Sequence, residues 1–317
     1  MTWFLLRRSG LLVVALFVAS VAIFALLRLL PGDLAIRICG IEAPDTCVPR
    51  VRDELGLNRP LVTQYGEWIG GVIQGDLGRS TLTRTTVTSE LGEKMTITAP
   101  LVLASSVLSL AAAVPLGIIA AVRSRRPDGL VLSAVAQIGV AVPPFLLGLA
   151  GIALLHDRFG LPAQGFPRKG WGDDVGRAVR SLVLPTLTLA AAQSAVLIRF
   201  VRTSTLEVLN QDYIRTARAK GLTRTGALLR HGVRNAAIPV VSVLGIQIAT
   251  LLAGVVVIEE VFSLPGVGRM LLDDIGDRDF DKVQGTVLLT AAIVLVVGFL
   301  IDVTHHLIDP RLRTGHR

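Results

Sequence analysis

The stretch Ala236-Ala-Ile-Pro-Val-Val-Ser-Val-Leu-Gly-Ile-Gln-Ile-Ala-Thr-Leu-Leu-Ala-Gly-Val-Val-Val-Ile258 runs for 23 residues without a charge. About 20 apolar residues, at ~1.5 Å of helical rise each, reach across the ~30 Å hydrocarbon core of a bilayer. Five further apolar runs accompany it, at residues 10–30, 99–122, 130–155, 183–200 and 284–304. The chain is 51% hydrophobic and 18% charged, against about 25% charged for an ordinary soluble domain. Its mean hydropathy is +0.62. Aromatic residues make up only 5%, which suits lipid-packed helices better than a transmembrane barrel with aromatic girdles. We therefore expect an all-α integral membrane protein with about six transmembrane helices in one domain over residues 1–317.

The first run follows Arg7 and Arg8 and is interrupted only by Arg28 near its far end. It is longer than the ~7–15-residue core of a signal peptide and ends in Leu-Leu-Pro-Gly-Asp, so it reads as an uncleaved helix. Pro115 is expected to kink the second run, and Pro143-Pro144 to break the third.

Charge sets the orientation. With the N-terminus inside and six spans, the inner segments hold 16 Lys and Arg in about 65 positions with 4 acids. The outer segments, 31–98, 156–182 and 259–283, hold 15 Lys and Arg and 19 acids in about 120 positions. The positive-inside bias thus places both termini in the cytoplasm. It also accounts for the +8 net charge without any nucleic-acid partner.

The inner segment 201–235 is too polar to span. In Asp212-Tyr-Ile-Arg-Thr-Ala-Arg-Ala-Lys-Gly221, helical spacing puts Arg215, Arg218 and Leu222 on one face and Thr216, Ala217 and Lys220 on a neighbouring one. Gly221 is a natural helix stop, and a second short helix over 224–231 is expected to complete a helix–turn–helix. Two uses remain open: a surface gripped by a soluble partner, or an amphipathic helix resting on anionic lipid headgroups.

The run 212–221, continued by His231-Gly-Val-Arg-Asn-Ala-Ala-Ile-Pro239, closely resembles the cytoplasmic coupling loop of ABC importer permeases of the dipeptide/oligopeptide/nickel family. Arg215-Thr216-Ala217 stands where the broad importer motif has Glu-Ala-Ala, and Gly221 lies at the matching distance. The missing Glu agrees with this family's form. Leu30-Pro-Gly-Asp33, Leu55–Leu61, Gly75-Asp-Leu-Gly-Arg-Ser80, Glu259–Gly268 and Asp309-Pro-Arg-Leu-Arg313 resemble the same family, in the same order, over nearly the whole chain.

The resemblance implies a type I ABC importer permease in the bacterial inner membrane, one of two similar pore-forming subunits. Two cytoplasmic ATPases, carrying ATP and Mg, and an extracytoplasmic substrate-binding protein are implied as partners, with lipid around the spans. The chain itself is implied to bind no cofactor. The motif match points to Asp212, Arg215, Thr216, Ala217, Arg218, Lys220, Gly221 and Leu222 as ATPase contacts. It points to Glu259, Glu260, Phe262, Pro265 and Gly266 as contacts of the binding protein or shapers of the entrance, with ordinary loop chemistry as the other reading. The implied cargo is a di- or oligopeptide, or else nickel or another small solute.

No phosphate-binding GxxxxGK[ST] loop is present, so ATP hydrolysis is expected on another chain. Asp302 is the acid that falls inside an expected span, which is thin support for an ion-coupled carrier. His305 and His306 without a third ligand point to the inner interface rather than to a metal. Cys39 and Cys47 fall outside, where a disulfide between them would persist; two unpaired thiols are the alternative.

Overall fold

The computed structural model describes residues 2–29, 39, 44, 46–54, 56–80, 82–172 and 174–308. The motifs Leu30–Asp33 and Asp309–Arg313 lie outside the described residues. Every regular element among the described residues is helical. In chain order the α-helices are α1 (Thr2–Leu29), α2 (Cys47–Glu54), α3 (Leu61–Ile73), α4 (Val87–Val122), α5 (Pro127–Ala141), α6 (Pro144–Phe159), α7 (Val175–Leu209), α8 (Asp212–Ala219), α9 (Arg224–Ala227), α10 (Val233–Val261), α11 (Val267–Gly276) and α12 (Phe280–Ile308), with a short 3-10 helix at Gly170–Gly172 and a π-helical turn at Leu228–Gly232.

Among the described residues, five helical stretches are long and apolar enough to cross a membrane: Thr2–Leu29, Val87–Val122, Val175–Leu209, Arg224–Val261 and Phe280–Leu307. The pair α5 and α6, bent by 107° at its break, makes a sixth if counted as one span. The break falls at Pro143-Pro144, where two successive prolines remove two amide donors and close the helix. Pro115, by contrast, lies inside the continuous helix α4. Leu103, Val107, Ile138 and Ile246 are each about two-thirds exposed, which suits lipid-facing positions.

The chain divides into two compact units. One comprises Met1–Leu5, Thr98–Pro265 and Val296–Arg317. Its helices approach through small residues, as expected where lipid supplies no hydrophobic drive between helices. A Cβ on Gly117 would come within 2.6 Å of the Val201 side chain, and one on Gly139 within 2.8 Å of Ala195. Ala113, Ala136, Leu197 and Ile198 form a buried cluster there. The other unit comprises Leu6–Ile97 and Gly266–Leu295. Its core is Val87, Leu91, Val267 and Met270, packed with Leu77, Met95 and Leu289.

The basic turn between α4 and α5 leaves no room at Gly129, where an added Cβ would lie 2.2 Å from the Arg123 carbonyl oxygen. Backbone cannot swing aside as a side chain does. Gly129→Ala is therefore expected to cost about 1–3 kcal/mol of stability, read as a lowered melting temperature of the detergent-purified protein. An unchanged melting temperature would refute this.

Candidate functional site

Helix α8 is short and polar; Ile214 and Ala217 face inward, while Tyr213 and Ala219 are exposed. Ile214 is fully buried and Ala217 is 8% exposed, both within a cluster formed with Val208, Leu209, Ala227, Leu228 and Ala236. Leu222 is half-buried against the same cluster, beside Ile118 and Val122. The remaining candidates, Asp212, Arg215, Thr216, Arg218, Lys220 and Gly221, are exposed. The structure thus separates the spacing-based set: Ala217 and Leu222 seat the helix, and the others form its open face.

That face is locally ordered. Arg215 Nη1 lies 3.4 Å from Asp212 Oδ1, an exposed pair of little energetic weight. Thr216 Oγ1 donates to the Asp212 carbonyl at 3.0 Å. Gly221 takes φ +94, a conformation that side-chain-bearing residues rarely adopt, and its amide donates to the Arg218 carbonyl at 3.0 Å. Thr223 then caps α9 by accepting from the Gly226 amide at 3.1 Å.

The expected second helix over 224–231 differs in the structure. Helix α9 passes through a π-helical turn, Leu228–Gly232, directly into α10. The reason is packing: a Cβ on Gly232 would lie 2.8 Å from Val208 and 2.9 Å from Leu228. The segment that spacing reads as a separate helix is therefore the start of a membrane span. Two tethers hold the loop. Arg224 Nη1 donates to the Val122 carbonyl at the end of α4 at 3.0 Å, and Asn235 Nδ2 donates to Tyr213 Oη at 2.9 Å.

The second candidate set is mostly internal. Glu259 is fully buried within α10 and its Oε1 accepts from Thr98 Oγ1 at 2.6 Å. Phe262 is 1% exposed, with its ring against Gly148. The Gly165 amide donates to the Phe262 carbonyl (2.8 Å) and the Gln164 side-chain Nε2 to the Val261 carbonyl (3.0 Å), binding the loop after α6 to this corner. Pro265 is half-buried, Gly266 buried, and Glu260 exposed. Of the five, Glu260 alone offers an open side chain. The others hold the corner together.

A cluster that sequence reading missed lies in the other unit. Lys282 Nζ is 2.8 Å from Asp274 Oδ1 and 3.1 Å from Glu90 Oε1, and its side chain is 6% exposed. Asp279, 2% exposed, accepts from Ser80 Oγ at 2.5 Å. Burial pushes the Asp274 carboxyl above the usual carboxylate range; Lys282 pulls it down, while Glu90 and Asp279 add to the rise. The available signal was the density of acids in 273–281 beside a single lysine at the mouth of an apolar run.

Cys39 and Cys47 are joined in a disulfide, with Cα atoms 5.9 Å apart. The loop so closed is short, and the entropic estimate for it is about 2.5 kcal/mol. Cys47→Ser is expected to leave the helical bundle assembled while raising proteolytic cleavage near residues 39–47. Equal cleavage in variant and parent would refute it. His306 stacks on Phe4, with ring centroids 4.1 Å apart, and His305 Nε2 lies 3.2 Å from Ser242 Oγ.

Long apolar helices, one broken span and a polar helix docked by its own apolar residues define a polytopic helical membrane protein with one presented surface. Residues 113–314 match the family described as binding-protein-dependent transport system inner membrane component, and residues 1–99 match its N-terminal counterpart. The chain belongs to that family: it is a pore-forming inner-membrane permease of a bacterial ABC importer, of the peptide/oligopeptide group. ATP hydrolysis resides on separate ATPase subunits, and a substrate-binding protein delivers the cargo. The glutathione transport system permease protein GsiC of Escherichia coli O6:H1 is 39% identical over 312 residues, covering 98% of each chain. The GsiC proteins of Escherichia coli K12 and Shigella flexneri serotype 5b are 38% identical with the same coverage. A solved structure, described as an amino acid ABC transporter with histidines, aligns at 18% identity and a TM-score of 0.44, covering 68% of this chain and 96% of its own.

Proposed function

We propose that the chain is the permease subunit of an importer for di- or oligopeptides. In this reading a second, similar permease subunit completes the pore, and two ATPases binding ATP and Mg drive it. The observation that carries the coupling role is the seating of α8. Its aliphatic anchor Ile214 and the neighbouring Ala217 are consumed by the chain's own core, and the ring of exposed Tyr213 is tied by its hydroxyl to Asn235. A helix resting on lipid would turn such residues toward the acyl chains. The face left open carries Arg215, Thr216, Arg218 and Lys220, which suits directional hydrogen bonds to a soluble protein. Closure of the ATPase pair would push on this docked helix and, through Arg224 and Val122, on the ends of α4 and α10. Rocking of the bundle then alternates access to the two sides.

The peptide assignment draws on the relatives, which are named for glutathione, itself a small peptide. The test is expression of the tagged chain with its neighbouring genes, gentle extraction and identification of partners by mass spectrometry. Uptake of labelled peptides into proteoliposomes follows. Recovery of a second permease and two ATPases with ATP-dependent peptide uptake supports the reading. ATP-dependent uptake of nickel with no peptide uptake would replace the cargo assignment, and activity of the chain alone without ATP would end it.

A further inference from the structure

The break between α5 and α6 leaves chemistry behind. In a continuous helix the carbonyls of Gly139 and Val140 would accept from the amides of residues 143 and 144. Both are prolines and have no amide hydrogen, so neither bond forms. Beside this break lies a cavity of about 150 Å³, lined on one side by Gly139 and Val140 and on the others by Gln193 of α7 and Gln247 and Thr250 of α10. The rest of its wall is aliphatic, from Leu189, Val196 and Leu251.

The two carboxamides are held differently. Gln193 is 8% exposed; its Oε1 accepts from Ser109 Oγ at 3.2 Å, and its Nε2 donates to the Gln247 carbonyl at 3.5 Å. Its orientation is therefore set by the protein. The half-buried Gln247 carboxamide has no hydrogen-bond partner among the described residues. Beside an aliphatic wall, a cargo carbonyl offers this carboxamide a hydrogen bond that the wall does not. No ionisable side chain lines the cavity.

We propose that this cavity, within the unit that holds Thr98–Pro265, is a solute-contact station taking one neutral amide group of the cargo at a time. It rests on the peptide-importer reading above. Its apolar wall and few placed polar groups are the ordinary make-up of a ligand site. At about 150 Å³ it is well below the ~300 Å³ that a whole small ligand needs, and it is open on one side, so one peptide unit enters while the side chain beside it stays outside. The Gln247 carboxamide donates to the cargo carbonyl, and the orphaned carbonyls of Gly139 and Val140 accept from its N–H. Recognition of that kind ignores side-chain identity and excludes charge, so it lets varied peptides pass through one route.

The test uses the assembled importer in proteoliposomes and a tripeptide pool carrying photo-leucine at the central position. Illumination during turnover should label the segments 139–144 or 247–254. Gln247→Leu, similar in volume, should lower peptide uptake about five-fold, the size of one lost hydrogen bond, at equal recovery of the complex. Gln247→Met, unbranched and closer in shape, serves as a second variant should Gln247→Leu fail to assemble, with a fall of similar size expected. Peptide uptake with no label on these segments, or with the variant within two-fold of the parent, overturns the station alone. No peptide uptake by the unaltered importer overturns the station and the peptide reading together.

Discussion

Lys282→Met is expected to destabilise the unit that contains it by about 3–5 kcal/mol, the usual consequence of removing one partner from a buried ion pair. The substitution keeps most of the aliphatic stem and removes only the charge. Two acids then lose their cation in one step, since Asp274 and Glu90 both bond to Nζ. Asp274 fares worse, because its Oδ2 is buried without a hydrogen-bond partner among the described residues. The variant also predicts a pH dependence whose sign follows from burial. The Asp274 carboxyl is already raised, and loss of Lys282 removes what pulls it down. A carboxyl raised in the folded state binds its proton more tightly there than in the unfolded chain. Its contribution is therefore full at low pH and lost as pH rises through its folded value. The stability deficit of Lys282→Met should shrink as pH falls from about 8 to about 5. Melting curves of the detergent-purified variant across that range decide it, and a deficit that is constant or grows on acidification refutes the account.

Gly221→Val is expected to lower ATP-dependent uptake at least ten-fold while the chain still inserts and binds its partners. A β-branched residue at φ +94 is strained by about 1–3 kcal/mol, and the turn has an easier course than to hold it. Space is not the obstacle, since a Cβ there meets nothing within 4 Å. The effect therefore isolates backbone conformation. Relaxation of the turn would displace Lys220 and Leu222 and tilt the open face of α8, while Ile214 and Ala217 keep the helix seated. ATPase activity without matching uptake is the expected signature. Uptake at the parental level would remove Gly221 and its turn from the coupling role.

Much of this was legible in the sequence because lipid simplifies the code. A run such as Ala236–Ile258 has few alternatives to a spanning helix, since every backbone polar group must be satisfied within the segment. The Pro143-Pro144 break was equally legible, because a missing amide is a local property. The family resemblance was legible as an ordered match from Asp212 to Pro239, although spacing alone left the use of that segment open. Other features depended on what each residue meets. Glu259 and Glu260 are adjacent and chemically alike, yet one is fully buried on Thr98 and the other is exposed. Ala217 and Thr216 share a helix, and only the packing of Val208 and Leu228 decides that the first is a seat and the second a surface.

The sequence by itself determined the solvent, the helical class and the family, because hydropathy, proline and glycine act over a few residues. Only the tertiary structure decided that Lys282 gathers Glu90 and Asp274 from 192 and 8 positions away, or that Gln193 and Gln247 face one cavity at the broken span. The physical reason is that the worth of a buried polar group depends on its partners, and those partners are chosen by packing between helices far apart in the chain.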